Sequence, residues 1–193
     1  MPSVPADVAA WRKKTGADRW DEVWDGVLHM PPVPTFDHQD LQARLISWLD
    51  VHWAAASSGR RVLGELNVAR PGRGPDDYRI PDVCLLTAER MDRNRGTHLD
   101  GGPDVVIEIA SPGDESLEKV PFYVEVGVRE VWRIDRDARR PELFVSRDGV
   151  AERLPAGEDG AVASPFTGVV LRAVGGRLVL RLADDDATEA SLP

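Results

Sequence analysis

The stretch VVIEIAS, residues 105–111, predicts the central strand of the fold. It also places an ionisable residue inside an apolar run. Its valines and isoleucines are β-branched, and such a run favours a buried strand. Glu108 stands in the middle of it. An ionised carboxylate needs a compensating charge, hydrogen bonds or a raised pKa to stay in apolar surroundings. Glu108 therefore needs a partner, unless its strand lies at a sheet edge or faces solvent on one side.

Two other residues are candidate partners for Glu108. Asp82 lies in RIPDVCLLT, a second apolar strand pattern, and Lys119 follows the strand-breaking segment SPGDES. Two carboxylates at neighbouring strand ends repel each other unless a cation lies between them, and Mg²⁺ binds through one or two carboxylates plus water and phosphate. Lys119 could add positive charge beside the phosphate under attack. Taken singly, Asp82 could be a turn residue and Lys119 a solvated lysine, so the hypothesis depends on the three together.

Length and composition limit the class of protein. The chain has 193 residues, which is enough for one well-filled hydrophobic core and short for two cores. No apolar run approaches the roughly 20 residues needed to cross a bilayer, so we expect no membrane partner. The N-terminal stretch has no segment of signal-peptide type, and the single cysteine, Cys84, excludes an intrachain disulfide. We therefore expect a cytoplasmic location.

The charge balance is acidic, which limits how the chain could bind nucleic acid. The net charge is −9, from 24 basic and 33 acidic residues. Non-specific DNA binding is usually carried by a basic domain. Contact with phosphates must therefore depend on a local patch, either in the arginine cluster of residues 60–79 or in that of residues 129–140. Solvated surface arginines are an equally good interpretation of both clusters.

The chain reads as one α+β domain with polar ends. We predict an N-terminal arm or short helix over residues 1–19, a single domain over 20–183 and a disordered acidic tail over 184–193. Turn residues and periodicity predict the following elements: a hairpin at Asp25-Gly26, a helix from Asp37 to about Ala55 capped by Thr35 or Asp37, strands over 61–70, 79–87, 105–111 and 128–135, and a hairpin at Asp148-Gly149.

The segment after the central strand is ambiguous because of Pro121. A helix beginning at Asp114 or Ser116 would contain this proline and lose a hydrogen bond. A break near Lys119, with Pro121 at the start of a new helix, would avoid that loss. Either geometry can bring Lys119 near Glu108.

Several blocks together resemble the Uma-type family of restriction endonucleases, a branch of the PD-(D/E)xK nuclease superfamily. These blocks are RIPDVCLL, PDVVIEIASPGDESLEK and FYVEVGVREVWRID, preceded by WDGVLHMPPVPTFDHQDLQARLISWL, and they span about residues 20–145. The resemblance implies a restriction endonuclease-like fold, with a mixed β-sheet flanked by helices and extra N-terminal and C-terminal strands.

The resemblance also implies a chemistry. It points to an endonuclease that hydrolyses DNA and depends on Mg²⁺, with Mn²⁺ as a possible substitute. Asp82 and Glu108 would be the metal ligands, joined by the Ile109 carbonyl, and Lys119 would assist the water or the phosphate. The superfamily usually places its lysine two residues after the acid, where this chain has Ala110. A homodimer is expected, because cutting both strands needs two sites.

Some further residues are possible accessories of this site. His38 could touch a phosphate or orient the metal site, and Tyr123 could pack against the Lys119 stem. Glu65 is a possible further acid. The plainer interpretations are an exposed helix-start histidine, a core tyrosine and a solvent-facing glutamate. Four tryptophans lie in the first 48 residues: Trp11, Trp20, Trp24 and Trp48. Aromatic side chains can stack on unpaired bases, although packing in the core or a dimer interface is their commoner use.

Two other functions stay open on the sequence alone. A nuclease fold without catalysis, kept for binding or assembly, fits the acidic balance and the missing lysine of the usual motif. A carboxylate-pair hydrolase acting on a glycoside would need its two acids across an open groove. The sequence contains no GxGxxG, P-loop, CxxC pair or GxSxG, so dinucleotide, nucleoside triphosphate, zinc-ribbon and serine-hydrolase interpretations have no support.

Overall fold

The computed structural model describes residues 4–193, and residues 1–3 of the predicted arm lie outside that range. The helices are α1 (Ala6–Thr15), α2 (Phe36–Leu49) and α3 (Val120–Glu125), with 3₁₀ turns at Ala17–Trp20, Gly74–Asp76 and Ala88–Arg93 and a π-helical turn at Asp50–Ala54. The strands are β1 (Glu22–Trp24), β2 (Val27–His29), β3 (Arg61–Gly64), β4 (Val68–Ala69), β5 (Tyr78–Arg79), β6 (Val83–Leu86), β7 (Leu99–Asp100), β8 (Val105–Ala110), β9 (Glu130–Asp135), β10 (Pro141–Arg147), β11 (Val150–Arg153), β12 (Val162–Ala163), β13 (Val169–Val174), β14 (Arg177–Leu182) and β15 (Asp185–Leu192). No helix within the described range is long and apolar enough to span a membrane.

The strands of residues 4–193 form three sheets. The six-stranded central sheet has the order β11-β10-β9-β8-β6-β3. Its β8 and β9 are parallel and its other pairs antiparallel, so the predicted mixed sheet is confirmed. The N-terminal sheet has the order β2-β1-β5-β4-β7 and the C-terminal sheet β12-β13-β14-β15. The predicted α+β class, with extra strands at both ends, is therefore confirmed.

Strand β8 is buried on both faces, and its alternation separates two cores. Side chains of a strand point alternately to opposite faces. Val105, Ile107 and Ile109 point to one face and pack with α2 and the C-terminal sheet. Val106 faces the other way and packs with α3. Glu108 has the parity of Val106, so it points to the face that α3 covers.

Helix α2 begins as the sequence predicts. The Thr35 side chain caps it by accepting a hydrogen bond from the His38 backbone N–H at 3.4 Å. Leu41, Leu45 and Leu49 form its fully buried face, one or two helical turns apart. His38 lies on the same face, one turn before Leu41, and is therefore carried inward rather than exposed at the helix start.

The prediction of a disordered tail over residues 184–193 is wrong. Residues Asp185–Leu192 form β15, which pairs with β14. The Trp48 indole N–H donates to the Thr188 carbonyl at 2.9 Å, and Leu192 is buried in the α2 core. Charge in the last ten residues suggested disorder, but the acids of the strand stay exposed while Thr188 and Leu192 are buried. The single domain over 20–183 stays a prediction.

Two predicted strands are each divided. The segment 61–70 breaks at Glu65, which has a positive φ of 51°, so β3 and β4 belong to different sheets. The segment 79–87 breaks at Pro81 and Asp82, so β5 and β6 also belong to different sheets. The two strand breaks are in contact: the Glu65 backbone N–H donates a hydrogen bond to the Asp82 carbonyl at 3.2 Å. The chain passes between the sheets there, and Asp82 is placed at the start of β6.

Helix α3 resolves the ambiguity at Pro121. The helix begins at Val120, and Pro121 lies in its first turn, where its missing N–H costs little. Of the two geometries considered, the break near Lys119 is the one observed. Lys119 is therefore the residue that precedes the helix.

Glu130, at the start of β9, is a buried acid whose role is structural. Its carboxylate accepts hydrogen bonds from the Trp132 indole N–H at 2.9 Å, the Ser164 hydroxyl at 2.6 Å and the Phe166 backbone N–H at 2.7 Å. Glu130→Gln would turn one acceptor oxygen into a donor facing donors, so we expect unfolding free energy to fall by about 1–3 kcal/mol. Urea denaturation measures this change. The exposed Glu152→Gln is the control, and equal stability of the two variants would contradict the prediction.

Candidate active site

The ends of β6 and β8 open into a cleft of about 430 Å³. The predicted metal ligands Asp82, Glu108 and Ile109 line it, as do Lys119 and His38. The loop after β2 forms one wall and the loop after β8 forms the other. The structure therefore brings the main predicted site residues together at one place.

Asp82, just before β6, and Glu108, in β8, come close together where the two antiparallel strands meet the cleft. The register of the two strands ends at Val83 of β6 and Ile107 of β8; Asp82 precedes this pair in its segment and Glu108 follows it. The Asp82 carboxylate accepts a hydrogen bond from the N–H of Ile109, the residue after Glu108. Both acids line the cleft.

The surroundings of Glu108 explain how a carboxylate remains within an apolar strand. Its side chain is 6% exposed; Oε1 accepts a hydrogen bond from the Tyr123 hydroxyl at 2.5 Å and lies 3.3 Å from the Lys119 ammonium. Burial raises the pKa of Glu108 to about 8; Lys119 opposes this rise, while Asp82 and Glu22 add to it. The partners of Glu108 thus compensate its burial only in part.

Glu22 is a third buried acid of the site, and sequence reasoning missed it. From β1, its Oε1 accepts hydrogen bonds from the Lys119 ammonium and the Ile80 backbone N–H, both at 2.8 Å. The Trp24 indole N–H donates to its Oε2 at 2.7 Å. The stretch WDEVWDG contains three acids, Asp21, Glu22 and Asp25. Glu22 differs from the other two only because its side chain points inward from β1.

Lys119 joins the acids of two sheets. Its ammonium lies between Glu22 of the N-terminal sheet and Glu108 of the central sheet. Burial lowers the pKa of Lys119, but the two carboxylates outweigh burial and raise the pKa above its ordinary value. Lys119 is therefore a permanently charged group at the cleft floor.

Asp82 is held by residues of α2 and β8. Its Oδ2 accepts a hydrogen bond from the Ile109 backbone N–H at 2.6 Å and lies 3.3 Å from His38 Nε2. Its carbonyl accepts a hydrogen bond from the Gln42 side chain at 2.8 Å. Burial lowers the pKa of His38, and the Asp82 carboxylate outweighs burial, so the net shift is upward. Gln42, one turn after His38 on the same helix face, was not among the predicted residues.

The remaining two accessory residues lie outside the cleft lining. Tyr123 is fully buried, and its hydroxyl donates a hydrogen bond to the Glu108 carboxylate. Glu65 lies at the surface, where its Oε1 accepts hydrogen bonds from Trp20 Nε1 at 3.2 Å and Gln39 Nε2 at 3.3 Å. The structure does not place Glu65 with the other acids.

The donor set suits one kind of metal ion. Within residues 4–193, no group of three or more His, Cys, Asp and Glu side chains is arranged to hold an ion. Mg²⁺ commonly binds through one or two carboxylates and completes its shell with water and phosphate. The Asp82–Glu108 pair, with the Ile109 carbonyl as the predicted third oxygen, fits this pattern, and a divalent cation would relieve the repulsion between the two acids.

The raised pKa of Glu108 predicts how stability depends on pH without a divalent cation. The folded state keeps the Glu108 proton up to about pH 8, whereas an ordinary glutamate loses it near 4.5. Between these values the folded state binds more protons, so the contribution of Glu108 to unfolding free energy falls as pH rises. Urea denaturation in EDTA from about pH 5 to about pH 8.5 should show wild type losing stability relative to Glu108→Gln. A constant difference between the two proteins would contradict the prediction.

Comparisons with known proteins identify the family and the fold of the chain. No curated protein matches the chain. A crystal structure from Anabaena variabilis, titled "a putative nuclease belonging to DUF820", is 21% identical; the match covers 76% of this chain and 82% of that chain, with a TM-score of 0.61, which shows a shared fold. The model of the family described as "Uma2: Putative restriction endonuclease" matches residues 7–173. The chain therefore belongs to the Uma2 family and has the restriction endonuclease-like fold.

Proposed function

We propose that the protein is a Mg²⁺-dependent endonuclease that hydrolyses phosphodiester bonds in DNA, with Mn²⁺ as a substitute ion. The observation that carries this proposal is that Asp82 and Glu108 line one open cleft, with Lys119 in contact with Glu108. Family membership supports the nuclease class.

Each proposed ligand keeps one carboxylate oxygen for the ion. Asp82 uses Oδ2 for Ile109 and His38, and Glu108 uses Oε1 for Tyr123 and Lys119. Within the described residues these contacts leave Asp82 Oδ1 and Glu108 Oε2 for coordination. When bound, the ion would lower the pKa of a water molecule and offset charge on the phosphate.

The chain's own residues would orient the ligands and supply fixed charge. Ile109 and His38 hold the Asp82 carboxylate, Gln42 holds the Asp82 backbone carbonyl, and Tyr123 holds the Glu108 carboxylate. Charge that develops on the phosphate oxygens in the transition state would be stabilised by Lys119, which Glu22 holds in position. Burial strengthens this interaction because water screens it less.

Cleavage of plasmid and single-stranded DNA with Mg²⁺ or Mn²⁺ tests the proposal. Asp82→Asn keeps the size of the side chain and removes its charge, so we expect at least about a 10²-fold loss of rate. Asp159→Asn changes an exposed acid remote from the cleft lining and should cleave like wild type. Equal cleavage by all three proteins would mean that this site does not carry the activity.

One observation favours the alternative of a nuclease fold kept for binding or assembly. Lys119 is already paired with two carboxylates, as in a purely structural ion network. Calorimetric titration separates the two functions, because a catalytically inactive module has no need to bind Mg²⁺. The homodimer and the cytoplasmic location stay predictions.

A further inference from the structure

We infer that the cleft takes a single unpaired DNA strand rather than a duplex, with one base stacked on Trp20 and one phosphate at Arg136. This inference rests on the proposed function and names its substrate class. It is carried by a side-chain contact across the cleft, by the charge of the cleft lining, and by Trp20 and Arg136 in that lining.

The two walls of the cleft touch each other. His29 ends β2, beside the wall of residues 31–35, and Glu115 belongs to the opposite wall of residues 111–116. His29 Nδ1 lies 2.9 Å from Glu115 Oε2, and the His29 ring is stacked on Trp24 with centroids 3.9 Å apart. At this point the opening is bridged by one pair of side chains. A contact across the opening leaves less room above Asp82 and Glu108, which favours a single strand over a duplex.

The charge of the cleft does not suit two rows of phosphates. Its lining contains five carboxylates and, apart from histidine, two bases, Lys119 and Arg136. A protein that follows duplex DNA commonly contacts about 6–10 phosphates, and each contact makes binding more sensitive to salt. One metal ion and two fixed bases can offset only a few phosphates. This balance fits a short segment of one strand.

Trp20 offers a ring against which a base can stack. It lines the cleft and is partly exposed, and its indole N–H donates to Glu65 at 3.2 Å. The Arg19 guanidinium covers one ring face at 4.8 Å from the centroid, so a base would take the other face. The ring is held before binding, which reduces the entropy lost when a base stacks on it.

Arg136 is anchored near the acids on the other side of the cleft. Its backbone N–H donates to the Ala110 carbonyl at 2.8 Å, at the end of the strand that carries Glu108. Its side chain donates to Ser111 at 3.3 Å and to the exposed Asp137 at 2.8 Å. Arg136 is therefore placed to receive a phosphate next to the one that is cut.

Fluorescence anisotropy with labelled oligonucleotides tests the inference, using wild type with Ca²⁺ and gel analysis to verify that the DNA stays intact. A single strand should bind at least about tenfold more tightly than the same sequence as duplex. Its affinity should fall with salt at a log–log slope of about −1.4, from two phosphate contacts at about −0.7 each. Arg136→Ala should reduce that slope by about half.

Tryptophan variants locate the base. Trp20→Leu should weaken single-strand binding about 5- to 150-fold, the range for loss of one stacked base. Trp20→Phe should keep most of the affinity. Trp11→Leu is the matched control, because Trp11 is 58% exposed on α1 and outside the cleft lining. Circular dichroism would verify that each variant is folded.

Three outcomes would overturn the inference: equal or tighter duplex binding, a salt slope steeper than about −4, or equal affinity of Trp20→Leu and Trp11→Leu. Each can be told apart from failure of the proposed function. Asp82-dependent cleavage that prefers duplex DNA would refute the single strand and keep the nuclease. If single-strand binding depends on Trp20 but cleavage survives Asp82→Asn, the inferred single-strand site would be kept and the proposed nuclease site would be refuted.

Discussion

Glu108→Gln is expected to abolish Mg²⁺-dependent cleavage while making the cation-free protein more stable above about pH 8. Glutamine resembles the protonated glutamate that the folded state prefers. It keeps an oxygen to accept the Tyr123 hydrogen bond, and it removes a buried charge next to Asp82 and Glu22. The same charge is needed to hold the ion, so we expect cleavage to fall by at least about 10³-fold.

Rate and stability must be measured on the same preparation for this result to be informative. Cleavage would be followed on single-stranded and plasmid DNA, and unfolding free energy by urea denaturation in EDTA. Glu130→Gln is the matched control, since it replaces another buried acid by its amide outside the cleft. It should lose stability and keep its rate per folded molecule. A wild-type rate of cleavage in Glu108→Gln, or a loss of stability above about pH 8, would contradict the prediction.

Lys119→Met is expected to lower both stability and cleavage. Methionine keeps the apolar stem but leaves Glu22 and Glu108 without their shared cation. Removing one partner of a buried ion pair costs about 3–5 kcal/mol of unfolding free energy. Loss of the positive charge beside the phosphate should slow cleavage by about 10²–10³-fold. Lys13→Met, on the exposed surface of α1, is the control and should change neither.

A double variant separates the two effects of Lys119. Glu22→Gln combined with Lys119→Met removes one of the two unpaired carboxylates, so part of the lost stability should return. Cleavage should stay as slow as in Lys119→Met, because the charge near the phosphate is still missing. Recovery of cleavage together with stability would show that Lys119 acts only by holding the two sheets together.

The sequence predicted those features that depend on local pattern. The run around Glu108 has the length and β-branched character of a buried strand, and β8 is that strand. The cap at Thr35 and the hairpin turn at Asp25-Gly26 are local signals, and both elements form. The acid-acid-lysine order also identified three residues that line one cleft, because register and chain direction bring Asp82 and Glu108 together.

The features that sequence reasoning missed depend on contacts between distant segments. Glu22 becomes a site residue only because the N-terminal sheet packs against Lys119, 97 positions away along the chain. Gln42 contacts Asp82 through packing of α2 on the central sheet. The tail is ordered because it pairs with β14 and accepts a hydrogen bond from Trp48. The composition of the tail does not reveal these contacts. The strand breaks at Glu65 and Asp82 likewise arise where the chain changes sheets.

Crystals soaked with Mn²⁺ test most directly whether two acids brought together by neighbouring strands exist to hold a divalent ion. The account predicts one anomalous peak on the cleft floor, within about 2.0–2.3 Å of an oxygen from Asp82 and one from Glu108. A peak held only by rim acids such as Asp114 or Glu115, or no peak at an ion concentration that supports cleavage, would contradict it.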